Sequence, residues 1–297
     1  MTVLTINPVA PHDLELSMRV MSSFAPDEVK DPSVLRVAVR IHGEPTVLEF
    51  RQRHRAPPVI EVHTDCNKGV TEVRRIAKWL ICADLDLQPF YRVALSHPVL
   101  ALIVEELHGL KPMRPASLFE MLVIAVTEQQ ISMAAAYRIR HRIVESFGDE
   151  VDDLWAFPTY ERLAETPISE LIKCGLSQRK AEYVGRLAYR VSRGLLDLER
   201  LPTLSDEEVF NILFQERGIG PWSADYLLIR GLSRPDRVPV DDLGIRAIAG
   251  RYLGSGQRLT AQGVMRKLSS FKPYRGLAAF YLLAYARLSK NYPLTPL

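Results

Sequence analysis

The stretch Ser205–Gly231, SDEEVFNILFQERGIGPWSADYLLIRG, decides how the rest of the chain is read. Ser205, followed three residues later by Glu208, is a capping-box start for a helix that this reading carries to Gly218. Arg217-Gly218-Ile219-Gly220 then places one apolar residue between two glycines, and Pro221 suits the first position of a following helix ending near Gly231. Two helices joined so tightly leave bare backbone at a helix N-terminus, where free N–H groups and the helix dipole favour a phosphate. Gly218 and Gly220 would present that backbone, Ile219 would plug the turn into the core, and Ser223 could add a hydroxyl to the same phosphate. Contacts of this kind position DNA without reading its sequence. The same glycines would equally serve as plain punctuation between two helices.

Working outward, residues 1–88 read as a small α+β domain. Val34–Ile41 alternates apolar and basic residues, and Thr46–Arg51 and Val59–His63 are short β-type runs separated by HGEP and RHRAPP. Val70–Ala83 has helical spacing, and a linker follows near Asp84–Pro89. Residues 89–297 read as almost entirely helical. Ser117 and Glu120 open a helix, which breaks at Glu128-Gln129-Gln130-Ile131. Ser132 caps the next, with Gly148 at its end. Short and long helices follow over Ser169–Cys174 and from Ser177 to about Arg193, and Asp242, Thr260 and Pro273 open three more. The fold class expected is mainly α: an antiparallel-sheet α+β domain followed by a helical region.

Charge gives an independent indication. The net charge is only +3, yet Asp242 is the last acid in the chain. The 55 residues that follow carry nine bases: Arg246, Arg251, Arg258, Arg266, Lys267, Lys272, Arg275, Arg287 and Lys290. Such a segment in a balanced protein suggests either a polyanion footprint or a solvated basic surface. Apolar runs such as Leu277–Tyr285 fall short of the roughly 18–20 residues that span a bilayer. The start, MTVLTINPVAPHDLEL, has no signal-peptide pattern. Cys66, Cys82 and Cys174 are widely separated, which argues against a disulfide framework, a zinc site or an iron–sulfur cluster. An intracellular protein without a membrane partner is expected.

Twenty residues separate Trp222 from Asp242, enough for one helix, a loop over Ser233–Val240 and the start of another helix. A carboxylate is thereby set at a helix N-terminus beside the hairpin, where the dipole favours its ionised form. Such a group can stabilise an oxocarbenium-like transition state or orient a water. An aspartate there can also be a simple cap, and the Asp241–Asp242 doublet allows one to cap while the other faces a cleft. Trp222 and Tyr226, four apart, share a helix face. Their rings could line one wall of a pocket or belong to the core.

GIGPWSADY (218–226) followed by VPVDDLGIR (238–246) resembles the helix-hairpin-helix (HhH-GPD) DNA glycosylase superfamily, with the closest likeness to its 3-methyladenine DNA glycosylase II (AlkA-like) members. The resemblance covers most of residues 90–297. It implies base flipping in duplex DNA, with Asp242 as the catalytic carboxylate; alignment to lyase-type relatives would select Asp241 instead. Trp222 stands where bifunctional members carry a Schiff-base lysine, which implies a monofunctional enzyme with no strand cleavage. By the same resemblance the helix break is a wedge loop with Gln130 inserting, although an exposed Gln in a break reads equally well. The last helix carries Phe280, Tyr281 and Tyr285; Tyr281 and Leu283 are candidate pocket residues, with Leu283 where the family has an aromatic. Arg287, one turn on, is a candidate for the base or its backbone, or an ordinary surface residue.

The function expected is a DNA N-glycosylase releasing alkylated purines of the 3-methyladenine type, with hypoxanthine as a further substrate, in base excision repair. The alternatives are a glycosylase for oxidised guanine and a non-catalytic DNA-binding protein. No cofactor is required, although hairpin carbonyls could hold a monovalent cation. Duplex DNA is the partner, the protein acts as a monomer, and in a prokaryote it would sit in the cytoplasm with the nucleoid.

Overall fold

The computed structural model describes residues 2–24, 33–66 and 69–289; Lys290, one of the nine bases, lies outside them. The chain opens with β1 (Thr2–Ile6), α1 (Leu14–Phe24), β2 (Val34–Ile41), β3 (Glu44–Arg55), β4 (Pro58–Thr64) and α2 (Val70–Leu80). The four strands form an antiparallel sheet in the order β1-β4-β3-β2. Along β4 every second residue is buried, so Ile60 and Val62 join Leu4, Ile6, Leu48 and Phe50 on one face. Val73, Ile76 and Leu80 of α2 close that core. β1 and α1 carry no signal strong enough to stand out in the sequence, and α2 stops short of Ala83 because Cys82 adopts a left-handed backbone (φ 50°).

The helical region follows: α3 (Gln88–Ala94), α4 (Pro98–Glu106), α5 (Leu118–Glu128) and α6 (Met133–Phe147). It is interrupted by a hairpin of β5 (Asp149–Val151) and β6 (Leu154–Ala156) that the helical reading did not foresee. Its two-residue turn uses Asp152 and Asp153, both at positive φ, in place of the Asn-Gly or Asp-Gly that marks such turns. The hairpin lies against the main sheet, where Arg36 pairs with Asp153 at 2.9 Å and Arg40 with Asp149. After it come α7 (Tyr160–Glu165), α8 (Ile168–Lys173), α9 (Gln178–Ser192), α10 (Asp206–Phe214), α11 (Pro221–Arg230), α12 (Leu243–Leu253), α13 (Ala261–Leu268) and α14 (Arg275–Leu288).

Among the described residues, the side chains of Ser117, Ser132, Ser177, Ser205, Asp242 and Thr260 cap helices as the sequence suggests, and Ser205 with Glu208 forms the full capping box. Several boundaries differ besides that of α2. α8 starts at Ile168, behind Pro167, and not at Ser169. α10 ends at Phe214, well before Gly218, and α14 begins at Arg275, with Tyr274 in the capping position that was expected of Pro273.

Two apolar cores fill the helical region. One gathers α5, α9, α10 and α11 around Leu122, Val126, Val184, Leu213 and Leu228. The other surrounds α14 and includes Ile248, Leu277 and Leu282, together with Leu16 and Val20 of α1. The first helix therefore reaches into the last core of the chain. α14 also fixes the loop between α11 and α12. Leu277 N–H donates to Pro235 O at 3.0 Å, and Arg275 Nε donates to Asp236 Oδ1 at 2.8 Å. At Gly276 the backbones approach so closely that a Cβ would lie 2.3 Å from Arg237 O.

Polar contacts line the place where the sheet region meets the helices, and those of Lys111 cross it. Lys111 Nζ donates to Val9 O (2.8 Å) and Ala83 O (3.3 Å), Arg114 Nε donates to Ser233 Oγ (2.8 Å), and His12 Nε2 lies 2.9 Å from Ile81 O. Burial, with the neighbouring Lys111 charge second, lowers the His12 pKa from 6.5 to about 4. The folded protein keeps His12 neutral where the unfolded chain takes up a proton. Its contribution is therefore complete above pH 6.5 and is lost as pH falls toward about 4. Across that window the loss is about 3 kcal/mol. Urea unfolding followed from pH 7 down to about pH 4.5 should show a smaller fall in stability for His12→Gln than for the unmodified protein. Equal falls would contradict the role given to His12.

Candidate active site

The site grows from the corner between α10 and α11. Gly218 holds φ at +95°, and a Cβ there would lie 2.3 Å from Cγ of the Tyr183 ring, so both conformation and space require glycine. Ile219 is buried in the α5–α9–α11 core and anchors the corner, while Gly220 has open space where a side chain would be. Arg217 and Pro221 on either side are exposed. The first turn of α11 has no intrahelical partners for its N–H groups, so the corner offers donors outward while its apolar residue points in.

Ser223 departs from expectation. It is 1% exposed, and its Oγ accepts a hydrogen bond from Gln129 Nε2 at 2.9 Å. Its hydroxyl therefore faces the protein interior and is not offered to a phosphate. Gln129 Nε2 also donates to Gly218 O at 2.8 Å. One side chain thus ties the break between α5 and α6 to the hairpin. Lys180 of α9 supports the same break, its Nζ donating to Thr127 O (2.8 Å) and Gln129 O (2.6 Å). Gln130 is left exposed with a left-handed backbone (φ 53°), standing out from the protein next to the hairpin. Gln129 and Lys180 escaped the sequence reading because a Gln in a break and a Lys on a helix look solvated until their partners are known.

Asp242 lies beside the hairpin. Its Oδ1 accepts the Ile245 N–H at 2.9 Å, capping α12, and its Oδ2 accepts the Trp222 indole N–H at 3.1 Å. The doublet does not divide the work between two residues: Asp242 caps and faces Trp222 at once, and Asp241 is exposed to solvent. Trp222 stacks on Tyr226, ring centroids 4.8 Å apart and planes 25° from parallel. Burial, with the Glu128 charge second, pushes the Tyr226 hydroxyl well above the usual tyrosine pKa. Glu128, at the end of α5, is itself buried and pairs with Arg140 Nη1 at 2.9 Å. This second carboxylate was not singled out in the sequence, where it reads as one more polar residue of the break.

The last helix separates its candidates. Tyr281 is fully buried and its hydroxyl donates to Leu110 O at 2.7 Å, with Tyr91 Oη 3.0 Å away; it belongs to the core and not to a pocket wall. Leu283 is partly exposed at the edge of the same core. Arg287 is half-buried, its guanidinium carbon 4.8 Å above the Phe24 ring of α1, so it is not an ordinary surface residue. Of the basic tail, Arg251, Arg258, Arg266, Lys267 and Lys272 are exposed. Arg246 instead holds Leu259 O at 2.7 Å and Arg275 holds Asp236, so these two serve the fold.

A tight glycine corner at a helix N-terminus, with an aspartate held against the same helix, agrees with what the chain matches. Residues 123–273 fit the family model described as HhH-GPD superfamily base excision DNA repair protein. The chain belongs to this superfamily of base-excision DNA repair glycosylases. It is 32% identical to a DNA-3-methyladenine glycosylase of Bacillus subtilis over 214 residues, covering 71% of this chain and 70% of the relative. The 3-methyladenine DNA-glycosylase of Archaeoglobus fulgidus shares its fold over 97% of this chain and 99% of its own (TM-score 0.82, 24% identity). A 3-methyladenine DNA glycosylase of Schizosaccharomyces pombe, solved with abasic DNA, superposes with a TM-score of 0.61 at 28% identity, over 68% of this chain and 98% of its own. The small antiparallel sheet followed by helices is the architecture expected. Among the described residues no helix is long and apolar enough to cross a membrane.

Gln129→Ala tests the link between break and hairpin. It leaves buried Ser223 Oγ and Gly218 O without the amide, and unsatisfied buried groups cost about 1–3 kcal/mol each. The expected result is a lower melting temperature and weaker binding of abasic duplex, measured by thermal unfolding and fluorescence anisotropy. Unchanged duplex affinity would show that the two elements do not depend on one another.

Proposed function

We propose that this HhH-GPD protein is a monofunctional DNA N-glycosylase that releases alkylated purines of the 3-methyladenine type, and also hypoxanthine, from flipped nucleotides in duplex DNA. The observation that carries the reading is the Asp242 carboxylate, one oxygen fixed by the cap of α12 and the other by the Trp222 indole. The Bacillus subtilis relative, a DNA-3-methyladenine glycosylase 32% identical to this chain, supports the same substrate class.

Cleavage breaks the bond between C1′ and the base nitrogen, and the bonding electrons leave with the base. A purine alkylated at N3 or N7 carries a positive charge before cleavage and departs neutral, so no acid need protonate it. The sugar is left with oxocarbenium character, which an adjacent carboxylate stabilises, and water completes the substitution at C1′ with loss of a proton. The stacked rings of Trp222 and Tyr226 offer an electron-rich surface to the cationic base, a contact of about 1–2 kcal/mol once water is excluded. A tryptophan cannot form an imine with the sugar, and Lys180, the amine nearest the break in sequence contacts, is committed to two backbone carbonyls. Strand cleavage and the lyase form of an oxidised-guanine enzyme are therefore disfavoured.

In this reading Gln130 fills the gap left by the flipped nucleotide, and the protein acts as a monomer on chromosomal DNA, in the cytoplasm of a prokaryotic cell. Residues 1–88 act as a buttress whose α1 supports the helical region 89–297. The reaction itself requires no metal. A monovalent cation at the hairpin would use carbonyls other than that of Gly218, which already accepts the Gln129 amide.

Asp242→Asn has a single carbonyl oxygen, so when that oxygen caps α12 the Trp222 indole N–H faces a second donor in place of a charged acceptor. Release of 3-methyladenine from methylated duplex should fall by roughly 100-fold or more, with abasic-duplex affinity preserved and no strand nicking before or after the change. Release that survives in Asp242→Asn and disappears in Asp241→Asn would move the catalytic role by one residue.

A further inference from the structure

The glycine corner is flanked by arginines that the fold leaves unmatched. Elsewhere on the surface, exposed guanidiniums meet acids: Arg36 meets Asp153, Arg51 meets Glu49, Arg55 meets Asp13 and Glu15, and Arg75 meets Glu72. Arg179 and Arg186 on α9 and Arg217 beside Gly218 are exposed too. Among the described residues their guanidiniums make no hydrogen bond or ion pair. Glu182, the acid lying between Arg179 and Arg186 in sequence, accepts from Gln178 Nε2 at 2.7 Å instead.

Two contacts of α9 set these side chains around the corner. The Tyr183 ring occupies the space that a Cβ at Gly218 would need, and Arg190 Nε pairs with Glu216 Oε2 at 2.7 Å. The face of α9 that carries residues 183 and 190 is therefore the one turned to the end of α10. Positions three and four apart share a helix face, so Arg179, Tyr183, Arg186 and Arg190 form one row. Arg186 falls between the two contacts, and Arg179 lies one turn before Tyr183. Lys180 fastens the same end of α9 to the break before α6. Arg217 joins the group from the corner, its guanidinium carbon over the Tyr183 ring at 6.0 Å from the centroid. A guanidinium set over a ring keeps its in-plane N–H groups for a phosphate, which it can hold through two parallel bonds.

We propose that Arg179, Arg186 and Arg217 form a phosphate track that carries one DNA strand onward from the glycine corner along α9. The N–H groups of the corner take one phosphate, and the guanidiniums take those that follow on the same strand. Arg179 and Arg186 are seven residues apart, about 10 Å along the helix axis. That is the rise of about three nucleotides at 3.4 Å each. The track lies outside the acid-free segment after Asp242, where the charge pattern of the sequence placed the polyanion footprint. It holds backbone and not base edges, so damaged and undamaged duplexes are gripped alike. An acidic protein would answer the same charge, but a nucleic-acid strand also answers the phosphate-suited corner that the arginines surround. The inference rests on duplex DNA as the substrate and not on which base is released.

The test measures binding of an undamaged and an abasic duplex of equal length by fluorescence anisotropy over a range of salt concentrations. The proteins compared are the unmodified chain, Arg179→Gln, Arg186→Gln, Arg217→Gln, the triple variant and Arg217→Lys, with the melting temperature taken for each. Each single Gln variant should lessen the slope of log affinity against log salt by about 0.9, and the triple variant by about 2–3, equally on both duplexes. Arg217→Lys, which keeps the charge, should keep the slope. Should Arg217→Gln loosen the corner and lower the melting temperature, Arg179→Gln and Arg186→Gln carry the comparison. An unchanged slope in the triple variant, a loss confined to the abasic duplex, or a loss from Arg217→Gln alone each overturn the track along α9. An unchanged slope would also leave an acidic protein as the partner of these arginines. Slopes that fall as expected in a protein that releases no 3-methyladenine overturn the alkyl-purine reading and leave this inference standing. An unmodified protein that binds neither duplex overturns both.

Discussion

The hydrogen bond from the Trp222 indole to Asp242 Oδ2 joins the two halves of the site, and the fold is arranged to keep its two ends in register. Trp222 stands in the first turn of α11, whose position is fixed by the buried Ile219 and by the Gly218 corner packed on Tyr183. Asp242 stands at the start of α12, at the end of a loop fastened to α14 through Pro235, Asp236 and the close approach at Gly276. The hairpin corner and the loop's attachment to α14 therefore set the backbone from which each of the two side chains reaches the other. A carboxylate whose oxygens are each engaged by an N–H has little freedom to turn, which is what stabilising a short-lived positive charge requires.

Around that bond the polar groups fall into two kinds. Gln129 and Lys180 satisfy the backbone carbonyls exposed where α5 stops, and Gln129 hands the remaining connection to the hairpin through Gly218 and Ser223. The break that presents Gln130 and the glycine corner at the start of α11 are consequently one unit. Glu128 and Arg140 form the other kind, a buried ion pair at the end of α5. The basic residues divide in the same manner: Arg246 and Arg275 are spent on carbonyl and carboxylate partners, while Arg258, Arg266, Lys267 and Lys272 are exposed to water.

Features set by neighbours in sequence were legible before any coordinates. Caps at Ser117, Ser132, Ser177, Ser205, Asp242 and Thr260, the alternation of β2 and β4 and the glycine corner all depend on spacing within a few residues. The aspartate–tryptophan interval was legible for the same reason, being one helix and one loop long. Features set by distant partners were not. The orientation of Ser223 depends on Gln129, 94 positions earlier, and Tyr281 is drawn into the core by Tyr91 and Leu110. The β5–β6 hairpin hides behind an Asp-Asp turn and finds its support in Arg36 and Arg40, more than a hundred residues away. Asp242 combines the two cases: its capping role is local, and its bond to Trp222 exists only once the hairpin has folded.

The central claim is that the indole N–H holds in position the carboxylate proposed to be catalytic. Trp222→Phe retains an aromatic face but removes that donor, and a hydrogen bond to a charged group contributes about 1.5–3 kcal/mol. Single-turnover release of 3-methyladenine from methylated duplex is the direct measurement. The account predicts a fall of roughly tenfold or more with abasic-duplex affinity unchanged. Release at the rate of the unmodified enzyme would show that Asp242 does not depend on Trp222 and would contradict it.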